Sequence, residues 1–229
     1  MADNVLNGPS TAISVQPFSN VGTSTDHSLP VSVSVFSAKS DYGKISLSWE
    51  TASEVDNEGF YLSRADNGNG PFTAINPRII QGSGNSNETH KYEFVDDNVV
   101  EDATYYYKLS SQDFNGARHD YPGIASGKVL PLPKVFSLNQ NYPNPFNPST
   151  QISFAVANES TVNLDIYNML GQKVRTLINN QRLEPGVYNN YSWNARDDNG
   201  NSVANGIYYM VLTAKEFQFR SVKKIIYMK

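Results

Sequence analysis

The sequence has 229 residues and no cysteine. Disulfides, thiolate metal sites, iron–sulfur clusters and Cys nucleophiles are thereby excluded. Charge is scarce as well: Asp, Glu, Lys and Arg make up 17% of the chain, against roughly 25% in an ordinary globular protein. Eighteen basic residues stand against 22 acidic ones, a net charge of −4, with no basic block. That excludes the electrostatic footprint of a nucleic-acid binder. Apolar runs are short, and none approaches the roughly 18–20 residues of a membrane span. The three histidines, His27, His90 and His119, lie in separate segments. There is no HExxH, no GxSxG and no Gly-rich phosphate loop opening a helix, so no catalytic, metal-binding or cofactor-binding residues are assigned and the chain is not read as an enzyme. Met1-Ala2-Asp3-Asn4 offers neither a basic n-region nor an apolar h-region, so the N-terminus is not read as an export address.

Neutral polar residues take the place of charge: 26 Asn and 25 Ser. Aromatics reach 12%, led by 14 Tyr. This composition suits short strands joined by many Asn/Gly/Ser turns. The length suits one or two domains.

Residues 1–29 are rich in Ser, Thr, Asn, Gly and Pro. Only Ile13, Val15 and Phe18 give this arm an apolar side. It reads either as a linker trailing an upstream domain or as a strand donated to a neighbouring sheet. From residue 30 the period is two. Val31, Val33 and Val35 are expected on one face, and Ile45, Leu47 and Trp49 on the inner face of the next strand. Phe60 and Leu62 open another strand, and residues 82–87 read as a mobile turn. Tyr105, Tyr107 and Leu109 share a face, which places them in the core and leaves Tyr106 outward. About seven short strands with turn signals every 8–12 residues make a β-sandwich over residues 30–131. Pro131-Leu132-Pro133 is a stiff break. Residues 132–229 then repeat the pattern. Ile152, Phe154 and Val156 alternate, as do Val162, Leu164 and Ile166; further strands are expected at 173–177, 187–193, 206–212 and 217–227. Trp49 and Trp193 each fall on an alternating run and are expected in the two cores.

The most distinctive segment is Asn141-Tyr142-Pro143-Asn144-Pro145-Phe146-Asn147-Pro148-Ser149-Thr150. It is followed by Ile166-Tyr167-Asn168-Met169-Leu170-Gly171-Gln172-Lys173-Val174-Arg175, by Trp193 and by Asp197-Asp198-Asn199-Gly200. Val203-Ala204-Asn205-Gly206-Ile207-Tyr208-Tyr209 comes next, and Lys223-Lys224-Ile225-Ile226-Tyr227 close the chain. In this order residues 135–229 resemble the C-terminal sorting domain of proteins exported by the type IX secretion system, which is related to the immunoglobulin-like domain of flagellar hook-capping proteins. Leu47-Ser48-Trp49-Glu50-Thr51-Ala52-Ser53-Glu54, Asn57-Glu58-Gly59-Phe60 and Asp113-Phe114-Asn115-Gly116 resemble the fibronectin type III-like module often found upstream of such domains. The implied fold class is all-β: two tandem immunoglobulin-like/fibronectin type III-like β-sandwiches after an extended N-terminal arm. The implied role is that of a non-catalytic C-terminal region, at once export signal and spacer, at the cell surface or outside the cell. The implied partners are the outer-membrane secretion machinery and an upstream passenger. Since neither passenger nor signal peptide is found here, the chain is expected to be the tail of a longer export substrate.

The residues themselves allow a physical reading of that segment. Each proline pushes its predecessor toward an extended conformation. Tyr142, Pro143, Asn144, Pro145, Phe146, Asn147 and Pro148 are therefore expected as an extended, polyproline-like edge, with Tyr142 and Phe146 free to pack. The segment either seals a sandwich edge or presents a rigid recognition surface. Lys223 and Lys224 form a small basic cluster that either protects the terminal strand or touches the secretion machinery. The Asp/Asn/Gly loops at 66–70 and 197–201 read as hairpin turns rather than calcium loops. Two other functions stay open. The chain could be a subunit of an extracellular fibre or adhesive assembly whose arm (Ile13, Val15, Phe18) fills a neighbouring copy. It could instead be a carbohydrate-binding module with Tyr106 as platform.

Overall fold

A computed structural model describes residues 31–229. The arm residues Ile13, Val15 and Phe18 lie outside the described residues. The described chain divides after Pro131 into two compact units, each with its own hydrophobic core. Apart from one short 3-10 turn, both units are built from strands alone.

In the first unit, β1 (Val31–Asp41) turns at Gly43 into β2 (Lys44–Ala65), a strand of 22 residues. The break expected before Phe60 is absent, because β2 serves both layers. Its first half pairs with β1 and with β5 (His90–Asp96). Its second half pairs with β6 (Thr104–Asp113) on one side and with β3 (Thr73–Ala74) and β4 (Ile80–Ser86) on the other. β7 (Arg118–Asp120) and β8 (Ala125–Lys128) continue beyond β6. Ile45, Leu47 and Trp49 from the first half and Phe60 and Leu62 from the second all face the core. Trp49 meets Phe60 edge-on, with ring centroids 5.4 Å apart. Tyr105 and Tyr107 are buried and Tyr106 is only half-buried, as the alternation of β6 requires.

Two expectations fail here. β1 carries bulges at Ser32/Val33 and Val33/Val35. Each bulge shifts which face a side chain takes, so Val35 is 44% exposed while Phe36 is buried. Residues 82–86 belong to a strand, not a mobile turn. Ser83 N donates to the Glu54 carboxylate at 2.7 Å, and Gly82 runs so close that a Cβ there would lie 2.4 Å from Asn57 Nδ2. Glycine is required because the backbone must approach the corner of β2.

The second unit has two sheets. β10 (Thr150–Val156) lies between β9 (Ser137–Leu138) and β13 (Gly186–Trp193). The other sheet runs β12 (Lys173–Leu183), β11 (Ser160–Asn168), β14 (Gly206–Ala214), β15 (Phe219–Tyr227). Phe217, expected in the last strand, belongs instead to the 3-10 turn Lys215–Phe217. That turn is anchored by Glu216, whose carboxylate accepts from Ser160 Oγ, Thr161 N and Thr161 Oγ1. Alternating positions of β10, β11 and β14 fill the core, with Phe154 stacked on Tyr188 at 5.2 Å.

Candidate functional site: the proline segment and the terminal strand

The proline segment and the last strand, far apart in sequence, form one structural element. β15 is the edge of its sheet, and the C-terminal part of its outer side, from Lys224 onward, is bonded to the proline segment. Asn144 acts as a side-chain surrogate for a paired strand: its Nδ2 donates to Lys224 O at 3.2 Å and its Oδ1 accepts from Ile226 N at 2.9 Å. The backbone of Phe146 continues the pairing, donating to Ile226 O (3.0 Å) and accepting from Met228 N (3.2 Å). Gln140 Nε2 also donates to Lys224 O, at 2.8 Å. An edge strand that would otherwise offer a template to another chain is thus closed.

Three internal struts hold the segment. Asn141 is buried; its Nδ2 donates to Pro143 O (3.0 Å) and to Thr150 Oγ1 (2.8 Å). Thr150 Oγ1 donates in turn to Pro143 O at 2.7 Å. Tyr142 and Gln151 exchange both backbone hydrogen bonds. Phe146 is 2% exposed and packs on Tyr227 (5.0 Å) and Trp193 (5.5 Å). Trp193 donates its Nε1–H to Arg196 O at 2.9 Å and meets Tyr208 edge-on.

The expected extended, polyproline-like edge is therefore corrected to a chain of bends joined to its neighbours by two isolated bridges. The prolines restrict the backbone, but Asn141 and Asn144 decide its path. The expectation that Tyr142 and Phe146 both pack is half wrong. Phe146 enters the core, whereas Tyr142 is 81% exposed. Pro143, Pro145, Asn147 and Pro148 are exposed with it. The segment thus has a held side (Asn141, Asn144, Phe146, Thr150) and a presented side.

Lys223 and Lys224 do not make one basic cluster. They are neighbours on β15, so their side chains leave opposite faces of the sheet. Only Lys224, through its carbonyl, is tied to the proline segment. The 197–201 loop is a turn: Asp197 Oδ1 accepts from Asn199 N and Asn201 N. At 66–70, Asn67 Oδ1 accepts from Asn69 N and Asn67 O from Gly70 N. Among the described residues, no group of three or more His, Asp or Glu is arranged to hold a metal ion, and no helix is long and apolar enough to cross a membrane.

Sequence reasoning missed two features. Asp198 closes the opposite edge of the same sheet: its Oδ1 accepts from Thr176 N (3.0 Å) and its N donates to Val174 O (3.1 Å) on β12. In the first unit, Glu54 is fully buried where β2 changes layer. Its carboxylate accepts from Thr51 Oγ1, Asn57 Nδ2, Ser83 N and Tyr92 OH, at 2.5–2.8 Å. Burial pushes the Glu54 carboxyl up, but these hydrogen bonds outweigh it and hold the group below the usual carboxylate range. The spacing Thr51, Glu54, Asn57 was visible in the sequence; nothing there said that all three turn inward.

Residues 141–217, about a third of the chain, match the family model of the FlgD Ig-like domain. No curated protein matches the sequence. Three solved structures are similar at low identity. Dimeric latent PorU from Porphyromonas gingivalis is 15% identical, with 90% of this chain and 21% of that one covered and a TM-score of 0.32. An Fn3-like protein from Clostridium thermocellum is 21% identical, with 44% and 90% covered and a TM-score of 0.28. PorZ of the Porphyromonas gingivalis type-IX secretion system is 15% identical, with 53% and 15% covered and a TM-score of 0.31. The chain spans about a fifth of the length of PorU.

Proposed function

We propose that the second unit is the export-recognition domain of a secreted or cell-surface bacterial protein, read by the outer-membrane machinery of type IX secretion. The first unit, residues 30–131, serves as a non-catalytic spacer between this domain and the passenger. One observation carries the reading. The proline segment and the terminal strand, the two pieces marked by the sorting-domain resemblance, are bonded into a single element. That element turns an exposed Tyr142 and exposed prolines outward on a backbone fixed from behind by Asn141, Asn144 and Phe146. A presented side that is already rigid loses little conformational entropy on binding. A recognition role fits it better than catalysis.

The test is a passenger assay in a bacterium with a working type IX system. A reporter with a periplasmic signal peptide is fused to the whole chain, or to the chain ended before residue 132. The whole-chain fusion is expected at the surface or in the medium, and the shortened one in the periplasm. Equal export of both would refute the assignment.

A further inference from the structure

Among the described residues, four buried side-chain atoms have no hydrogen-bond partner in the protein: Trp49 Nε1, Asn57 Oδ1, Ser111 Oγ and Asp113 Oδ1. All four belong to the first unit, and Asn57, Ser111 and Asp113 lie in the β2–β6 pair at the corner of β2. Asn57 and Asp113 stand directly opposite each other in the β2–β6 pair, which puts their Cβ atoms roughly 4.5–5.5 Å apart on one face. Ser111 is two residues before Asp113 and shares its inward face; its register partner is Phe60. Trp49 packs on that same Phe60.

The orientations are fixed by the partners these residues do have. Asn57 Nδ2 donates to Glu54 Oε2 at 2.7 Å, so turning the amide over would set oxygen against carboxylate. Asp113 Oδ2 is engaged by His119 Nε2 at 2.9 Å, which leaves Oδ1. The Tyr121 hydroxyl lies beside Ser111, Glu54 and Asp113 and donates its proton to Val31 O at 2.9 Å, which leaves its oxygen able to accept from Ser111 but gives no donor to the two carbonyl-type oxygens. Two acceptors, Asn57 Oδ1 and Asp113 Oδ1, therefore face each other with no protein donor between them. Beside them on β6 is the Ser111 hydroxyl, next to Tyr121. Leaving such groups buried and unpaired is costly.

We propose that this corner is a binding site for an internal water molecule, held by Asn57 and Asp113 with Ser111 beside them. The chemistry matches one ligand closely. Water donates twice, to Asn57 Oδ1 and Asp113 Oδ1, the two acceptors that the protein leaves without a donor. Internal waters with two to four such bonds are ordinary parts of folded proteins. The water then completes the polar corner begun by Glu54.

The test is a high-resolution crystal structure of the full chain, together with 17O magnetic relaxation dispersion in solution. The expected result is a water within about 3.2 Å of both Asn57 Oδ1 and Asp113 Oδ1, and a long-lived water in the dispersion profile. Ser111→Val, which fills the space beside the two acceptors, is expected to remove that long-lived water. Three results would overturn the proposal: direct protein–protein hydrogen bonds satisfying these atoms, an anomalous-scattering ion at the spot, or a wild-type profile with no long-lived water. The crystallographic result stands even if Ser111→Val fails to fold.

Discussion

The two units lack cysteine alike, yet they handle their polar groups in opposite ways. The first takes polar chemistry inside. Glu54, Asn57, Ser111 and Asp113 are buried around the corner of β2, and Glu54 alone gathers four donors. The second keeps a core of aromatic and aliphatic side chains and spends its polar groups on sheet edges. Asn144 closes β15 and Asp198 closes β12. A strand that must cross between layers has to break its ladder at the bend, and side chains fill in for the lost partners. Two separate sheets have no such crossing, but they have exposed edges. The difference follows from topology. It also separates a unit with a polar corner inside from one that ties its sheet edges with polar side chains.

Several substitutions would break this comparison, in descending order of effect. Glu54→Ala strands four donors, three of them side-chain groups, at a buried site. It is expected to destabilise the first unit by about 4 kcal/mol and leave the second untouched. Denaturant unfolding followed by NMR of Ile45 and Leu47 methyls against those of Ile152 and Leu164 resolves the two. Phe146→Ala is the mirror experiment. It removes a buried ring from between Trp193 and Tyr227, at a cost of about 3–4 kcal/mol, confined to the second unit. Asn144→Ala removes only the edge closure, and about 1–2 kcal/mol is expected, with faster amide exchange at Ile226. Equal loss in both units from any of the three would mean that they do not unfold separately.

The response to high pH should be larger in the first unit, although burial also raises Tyr191 and Tyr208 in the second. Burial, joined for Tyr92 by its hydrogen bond to Glu54, pushes Tyr92 and Tyr121 up to about 12. Both belong to the first unit. A tyrosine raised in the fold contributes stability that is complete below the unfolded value of about 10 and is lost as pH rises toward 12. Glu54 works in the opposite sense: its contribution is present above about pH 4.3 and is lost as pH falls through its lowered folded value. The same methyl signals, followed from pH 9 to about 12, are expected to report loss of stability in the first unit. A Tyr92→Phe chain should lose less.

Much of the fold was written in the sequence as a period of two. Leu47, Trp49, Ile152 and Phe154 alternate with polar neighbours, and each is buried. What escaped was whatever depends on a distant partner. The bulges of β1 are set by its pairing with β2, so Val31, Val33 and Val35 read as one face when they are not. Gly82 reads as part of a turn because glycine marks turns, whereas here it lets a strand approach Asn57. The candidate site was legible as a motif but not as a shape. Prolines suggest an extended edge; the bonds that bend it reach to Lys224 and Ile226, 80 and 82 residues from Asn144. Nothing local distinguishes Tyr142, which faces solvent, from Phe146, which does not.

That last distinction supplies the most direct test. Tyr142→Ala removes a side chain that is 81% exposed, so stability should change by less than about 0.5 kcal/mol. In the passenger assay the same substitution, made together with Pro145→Ala, is expected to leave the second unit folded and to abolish export. Export at the level of the unaltered chain, from a folded variant, would mean that the proline segment only seals an edge, and would contradict the account.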